Sequence, residues 1–480
     1  MLISGFDNVI SMYDIELRKG LNTHSVFCFK TRVEIEQVSD YMSQIGEEIT
    51  VCLDFKDLSS SDQDFKKLVF CGFVDNINAN LEFSSVELEV IAKSYSVLED
   101  ETTFSRIFQN PQKKISDIAD GERLQLRKCN VDFIGNIKDT VLKQVVVQNQ
   151  ETNYSFLKRL AHELGVSLWI KDTFEDKTTI VMGSSLNVAV ELSLEEILRC
   201  QKRRTRECCS LWIVTKKYFE IGRIIRFKED GRRYVVVSMY LRYVNNNLEY
   251  SYVLDEYSEK EKNDQHNVLL KSIKFQAKVV SAEDPEHQGR LQVAFVEEGT
   301  DGVLDMDKND RYWFPYRTPY SGKNSGIVFL PDVGDVVEVF FSNEDCYISS
   351  SKRQNALLEE CQNINDKYIG NNFSQRIIWK NDSLELKSFD NQIILNKEKI
   401  EIIVGKSIIT ITENDIGLQQ NNCIVKIGMN NINLHADKEI SICGKDLVKV
   451  DCQKCFSVKG ESVAITASKI DLGSGDIKMG

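Results

Sequence analysis

Proline and histidine are scarce in this chain, with five of each among 480 residues. Three of the prolines, Pro315, Pro319 and Pro331, fall in one short stretch, so most of the chain lacks that interruption of backbone pairing. None of the histidines lies in an HExxH pattern, and no GxSxG occurs. The motif signals for zinc and serine hydrolysis are therefore missing. Long apolar runs are missing too: nothing approaches the roughly 18 to 20 residues of a membrane span. Asp7 and Asp14 interrupt the N-terminal stretch where a secretory signal needs an unbroken apolar core, so Sec-type export is not expected.

Cationic excess is absent as well. Lys and Arg number 60 against 73 Asp and Glu, a net charge of −13. That balance argues against a nucleic-acid partner, whose phosphates must be neutralised by Lys and Arg. Thirteen cysteines are spread without a repeated framework, which fits reduced thiols better than a disulfide scaffold. Cys452 and Cys455 form one CxxC, but no second pair stands at metal-ligand spacing. No catalytic, cofactor or metal site is expected.

What is present is a ladder. Hydrophobic doublets recur at Ile432/Leu434, Ile440/Ile442, Val448/Val450, Phe456/Val458, Val463/Ile465, Ile470/Leu472 and Ile477/Met479, their first members 8, 8, 8, 7, 7 and 7 residues apart. In a strand, residues i and i+2 share a face, so each doublet offers two apolar side chains to one side before the chain turns. Such short strands cannot bury that face alone, and stacked rungs can. A needle of stacked rungs is therefore expected over 372–480, in preference to an ordinary antiparallel meander. Less regular doublets at Leu384/Leu386, Ile400/Ile402 and Ile409/Ile411 precede it.

Upstream, the first hundred residues alternate strand-like runs such as 47–55, 67–77 and 85–97, as in a β-barrel-like domain. Between about 105 and 200 the character turns towards helix. Phe156, Leu157, Leu160, Ala161 and Leu164 keep helical spacing up to a stop at Gly165, and Ser193 with Glu196 forms a capping box. Strand character returns at 222–244 around the hairpin signal EDGRR, which makes the helical stretch an insertion between two β units. A charged linker at 255–267 leads to a compact β segment, 268–347, with two strands before and two around the turn PDVGD. Strand-turn-strand units of this size suit an OB-type barrel. A polar linker, 348–371, separates it from the ladder.

Three segments resemble one family, the VgrG spikes of type VI secretion and the hub-spike proteins of contractile phage tails and related particles. Residues 94–120 and 151–169 look like its hub signature, an acidic-Asn-aromatic start running into a Phe-Leu-x-Arg-Leu helix. Residues 284–295 and 311–341 are similar to its spike OB motif, and the terminal ladder is similar to its needle. The resemblance implies a mainly β fold with a helical insertion: hub domains over 1–262, the OB barrel and a trimeric β-helix or β-prism needle. It implies a noncatalytic homotrimer that adapts a sixfold tube to a threefold spike, is assembled in the cytoplasm and is then expelled to pierce an envelope. Its partners would be a hexameric tube protein, baseplate proteins, a PAAR-type tip protein or effector, and transiently the target membrane. A wall-degrading phage spike enzyme and a trimeric adhesin are the competing readings.

Individual residues carry expectations of their own. Ile432, Leu434, Ile440, Ile442, Val448, Val450, Phe456, Val458, Val463, Ile465, Ile470 and Leu472 would line the trimer core, and Ile477, Lys478, Met479 and Gly480 would dock the tip partner. Asp284, Pro285, Gly289, Arg290, Trp313, Pro331, Gly334 and Asp335 form the OB motif. Gly289 and Gly334 stand where turns favour positive φ, with Pro331 fixing the approach to one of them. Trp313 is read as a barrel or subunit-contact anchor. Arg290 and Asp335 are either a salt bridge or two solvated charges, the latter being the default.

Overall fold

The computed structural model describes residues 2–55, 65–82, 85–174, 177–183, 189–204, 209–244, 247–257, 272–295, 303–323, 325–342, 345–353, 363–471 and 473. The chain divides into two compact units, Met1–Gln354 and Asn355–Gly480.

The first unit is built on a 12-stranded sheet. It starts with β1 (Leu2–Ile3), β2 (Ser11–Gly20), β3 (Val26–Val33), β4 (Glu48–Phe55), β5 (Phe65–Glu82) and β6 (Ser85–Lys93). Strict alternation sets their faces: in β6 Val86, Leu88, Val90 and Ala92 are buried while the residues between them are partly exposed. Phe6, Phe27, Phe29 and Phe70 fill the core beneath, with ring centroids 5.0 Å (Phe6–Phe29) and 5.6 Å (Phe27–Phe70) apart. Gly72 in β5 is there for clearance. A Cβ at this position would sit 2.1 Å from the Lys93 carbonyl oxygen.

An insertion follows, holding β7 (Thr103–Phe108), β8 (Cys129–Phe133), β9 (Val146–Thr152), the helix Asn153–Glu163, β10 (Leu168–Lys171) and β11 (Thr178–Met182). The Thr152 hydroxyl caps this helix by accepting from the Ser155 amide, and Gly165 at φ +70° ends it, as its spacing predicts. The Ser193 capping box forms and heads a 3-10 turn, Leu194–Glu196. Most of the rest of the regular structure here is strand. Runs of four or five residues such as LWIK and TTIVM are too short for periodicity to tell strand from helix.

The chain then rejoins the large sheet through β12 (Val190–Leu192), β13 (Ile197–Arg204), β14 (Cys209–Thr215), β15 (Ile224–Phe227), β16 (Arg233–Val244) and β17 (Asn247–Glu256). EDGRR does turn β15 into β16, with Gly231 at φ +69°. The sheet path is β1-β4-β5-β6-β3-β2-β16-β17-β14-β13, so the β units before and after the insertion join through β2 and β16.

The barrel comprises β18 (Ile273–Ser281), β19 (Leu291–Phe295), β20 (Leu304–Asp305), β21 (Trp313–Phe314), β22 (Ser321–Gly322), β23 (Ser325–Gly326), β24 (Val336–Phe341) and β25 (Cys346–Lys352). Its sheet runs β21-β19-β18-β24-β25 over a core of Phe275, Phe295, Phe314 and Phe341. One sequence expectation is corrected here. Residues 327–335 before β24 form no strand, and Val328 and Phe329 are exposed; β24 instead pairs with β18 and β25. Pro331 has no N–H to give a ladder, which is reason enough for the strand to start only after it.

The second unit is one antiparallel meander: β26 (Lys367–Gly370), β27 (Gln375–Trp379), β28 (Ser383–Ser388), β29 (Asn391–Asn396), β30 (Lys399–Val404), β31 (Ser407–Thr412), β32 (Asp415–Gln420), β33 (Cys423–Gly428) and β34 (Ile432–His435). After β34 the described residues 436–471 form no strands within the single chain.

Candidate functional site

The meander sorts its side chains by face. Register aligns Trp379, Leu384, Leu395, Ile400, Ile411, Ile416, Ile427 and Ile432 in one cross-strand column. Ile377, Leu386, Ile393, Ile402, Ile409, Leu418, Val425 and Leu434 form the adjacent column. Because residues i and i+2 share a face, both columns lie on the same side of the sheet. At a strand spacing of about 4.8 Å they make an apolar strip roughly 34 Å long. The strip is not covered: Ile400 is 39 % exposed, Leu418 42 % and Ile432 68 %.

The opposite face is more polar. Glu385 is held between Lys380 (2.6 Å) and Lys387 (3.1 Å), and Glu401 pairs with Lys399 (2.6 Å). Burial alone would raise the Glu385 carboxyl, yet the two lysines hold it below its ordinary value.

Sequence reading finds only part of this strip. Ile377/Trp379, Ile393/Leu395, Ile416/Leu418 and Val425/Ile427 escape it, although the doublets from 377 to 432 start 7, 9, 7, 9, 7, 9 and 7 residues apart. A search at a fixed interval misses that alternation, whereas a 16-residue hairpin period catches it. Of the expected needle residues, Ile432 and Leu434 lie in β34 on the strip. Ile440, Ile442, Val448, Val450, Phe456, Val458, Val463, Ile465 and Ile470 follow it and are 49–69 % exposed. Leu472, Ile477, Lys478, Met479 and Gly480 lie outside the described residues.

Within the first unit, the barrel is joined to the hub insertion by the segment between β19 and β21. Strand β20 pairs in parallel with β7, and the Met306 amide donates to the Ile107 carbonyl at 2.9 Å. The buried Asp307 carboxylate accepts from Lys113, from Arg123 Nη2 at 3.0 Å and from the Asn110 amide at 3.0 Å. Asp305 accepts from Gln109 Nε2 at 2.8 Å. Ile107 and Val147 of the insertion also enter the barrel core.

Beside this joint, Arg106 is buried over the Phe104 ring and donates to Gln148 Oε1 (2.8 Å), Asn153 Oδ1 (2.7 Å) and the Leu124 carbonyl (3.0 Å). Burial pushes its guanidinium down to about 10, which leaves it charged at neutral pH. Asn153 also donates to Glu99. Arg159 pairs with Glu151 (2.9 Å) and donates to the Val147 carbonyl (2.6 Å). These contacts give a structural reason for the Asn and Arg of the hub signature.

The OB-motif residues are placed as follows. Arg290 takes neither of its expected readings: its partner is Asp284, in a bidentate pair at 2.7 and 3.0 Å. Asp284 also accepts from the amides of Glu286, Gln288 and Arg290, so it ties the whole turn together. The Arg290 guanidinium, with those amides, holds the Asp284 carboxyl well below the usual range. Asp335 instead accepts from the Asp332 amide at 2.9 Å. Gly289 and Gly334 adopt φ +73° and +102°. Pro331 is buried and Pro285 exposed, and Trp313 is half-buried while its neighbour Phe314 fills the core.

One side-chain row has the order of a hydrolase triad. His24 Nδ1 lies 2.8 Å from Ser96 Oγ, and its Nε2 lies 2.8 Å from Asp100 Oδ2. A nucleophile must meet substrate. Ser96 is completely buried and shared with Ser94, so the row is a structural tie between the β2–β3 turn and the start of the insertion. Among the described residues no group of three or more His, Cys, Asp or Glu could hold a metal ion, and Cys452 and Cys455 are exposed free thiols.

Comparison with known proteins agrees with this layout. Residues 275–347 match the type VI secretion system/phage-baseplate injector OB domain family. A solved Escherichia coli protein, c3393, is described as a component of the type VI secretion system with structural similarity to the phage T4 tail proteins gp27 and gp5. It is 14 % identical, with 73 % of this chain and 99 % of that one covered, at a TM-score of 0.51. The Francisella PdpA-VgrG complex in its half-lidded form aligns over 88 % of this chain and 83 % of that one, at 8 % identity and a TM-score of 0.52. Its lidless counterpart aligns over 88 % and 93 %, at 8 % identity and a TM-score of 0.51. No curated protein matches the chain. Hub sheet, injector OB barrel and order of parts are those of the VgrG-type spike fold.

Proposed function

We propose, taking this VgrG-type hub-spike fold as the premise, that three copies of the chain form a noncatalytic spike at the tip of a contractile injection machine. The hub and barrel would seat it on a hexameric tube within a baseplate. The C-terminal unit would be its shaft, driven through a target envelope with a tip protein or effector aboard.

The observation that carries this reading is the uncovered two-column strip on the meander. An apolar strip of this length on a water-facing sheet calls for a partner, and cyclic symmetry offers one in the same strip on two further copies. Its side chains are already about three-fifths buried, so covering the rest yields roughly 0.5 to 1 kcal/mol each. That amounts to about 10 kcal/mol per copy, comparable to the 4 to 15 kcal/mol that association costs. The doublets from Ile440 to Ile470, more exposed still, tip the balance. The Ser96 row gives hydrolysis no accessible nucleophile, which favours a mechanical role.

Placing a charge in the strip tests the reading. Leu418→Asp puts an unpaired carboxylate at the proposed axis. Loss of the trimer with the first unit still folded is expected, read by light scattering and circular dichroism. A Leu418→Asp protein as trimeric as the wild type would overturn it.

A further inference from the structure

The segment between β14 and β15, residues 216–223, shapes a cavity of about 580 Å³ together with β5 and β12. Its backbone is fixed from below. The Phe219 amide donates to the hydroxyl of the buried Tyr252 at 2.7 Å, and that hydroxyl donates to the Lys217 carbonyl at 3.1 Å. The Tyr218 ring stands edge-on to Tyr250 with centroids 5.7 Å apart, and Gly222 turns the chain at φ +76° against the Trp169 indole. Four cations line the cavity, Lys67, Lys216, Lys217 and Arg223, against one acid, Glu220. In a chain of net charge −13 that ratio is not what composition would supply.

The cations are unequally engaged. Lys217 pairs with Glu196 at 2.5 Å, whereas Lys67 lies over the Tyr218 ring at 4.5 Å and reaches Glu220 only at 3.5 Å. Among the described residues the side chains of Lys216 and Arg223 have no partner, although Arg223 is half-buried. The geometry points to this cavity as a binding site for a small molecule that carries a phosphate group on an apolar body. Three physical points carry it. The volume lies within the roughly 300 to 1,000 Å³ of small-molecule sites. A guanidinium fork and ammonium groups with donors to spare match phosphate oxygens, and Val190, Tyr218 and Phe219 give the rest of the ligand an apolar wall. A backbone already tied to Tyr252 spares the ligand the cost of ordering the loop. The site belongs to one copy of the first unit, so it stands apart from the trimeric reading above.

Surface lysines are ordinarily just solvated, and a matched set of ligands separates that case from a site. Full-length protein is titrated at 0.15 M salt with phenyl phosphate, inorganic phosphate and benzoate, followed by the ligands' own NMR signals. Phenyl phosphate should saturate and bind several-fold tighter than inorganic phosphate, which lacks the ring, and than benzoate, which lacks the phosphate. Lys216→Gln and Arg223→Gln should each weaken phenyl phosphate about tenfold or more. Lys216 is exposed, so its variant keeps the test valid if Arg223→Gln unfolds. Lys138→Gln, which removes one exposed cation outside the cavity, should change nothing. No saturable binding of phenyl phosphate, or equal weakening by Lys138→Gln, overturns the site. Benzoate binding as tightly as phenyl phosphate overturns its assignment to phosphate, and inorganic phosphate doing so overturns the role of the apolar wall.

Discussion

At the scale of single residues, the first unit depends on a few buried charges held by specific partners. Lys19 and Asp172 form an almost fully buried ion pair, and Lys19 also donates to the Val69 carbonyl at 2.7 Å. Removing only the acid strands a buried ammonium, so Asp172→Ala should lower the stability of the first unit by about 3 to 5 kcal/mol. Lys19→Met/Asp172→Leu, which removes both charges, should recover most of that loss in urea unfolding. Asp284 provides a pH test. Its folded-state value is depressed by Arg290 and three amides, so its contribution is complete above the unfolded value near 4 and fades as pH falls below it. Barrel melting temperature should therefore drop on acidification below about pH 4. Asp284→Asn should melt lower at neutral pH and lose that part of the acid dependence. The sequence names Asp284 and Arg290 but not their union. Turn residues six apart meet because the segment folds back through two left-handed residues, His287 at φ +53° and Gly289 at φ +73°.

At the scale of elements, the joint at 303–310 and the tight crossing at Gly72 are the features hardest to see in a sequence. Short polar segments such as LDMDKND show no period, and the partners of Asp307 lie nearly two hundred residues upstream. Asp307→Ala would leave Lys113 and Arg123 without their shared carboxylate, so hydrogen exchange should rise first at 303–310 and β7. Unchanged protection there would mean the ionic contacts are dispensable. Gly72→Ala should cost about 1 to 3 kcal/mol, since the backbone must yield around the Lys93 carbonyl. Elements with a strong period were legible: the helix Asn153–Glu163, the β15–β16 hairpin and the alternation along β6. The meander was half legible, because its doublets alternate between two spacings and the eye settles on the regular part after 432.

At the scale of the whole molecule, order of parts supports the proposed function: a 12-stranded sheet, an OB barrel joined to the insertion, and a second unit whose sheet has one uncovered apolar face. The acidic balance argues against a nucleic-acid partner, and the OB segment resembles the family whose domain it matches. A sequence cannot show that eight doublets share one face, since that follows from cross-strand register. The proposed needle extends the same pattern through Ile440, Ile442 and the later doublets, so Ile442→Asp should weaken assembly while leaving hub folding intact. The most direct measurement is the molar mass of the full-length protein by light scattering at dilute concentration. Three times 55.0 kDa, unchanged on dilution, is expected, and a stable 55.0 kDa monomer would contradict the central claim.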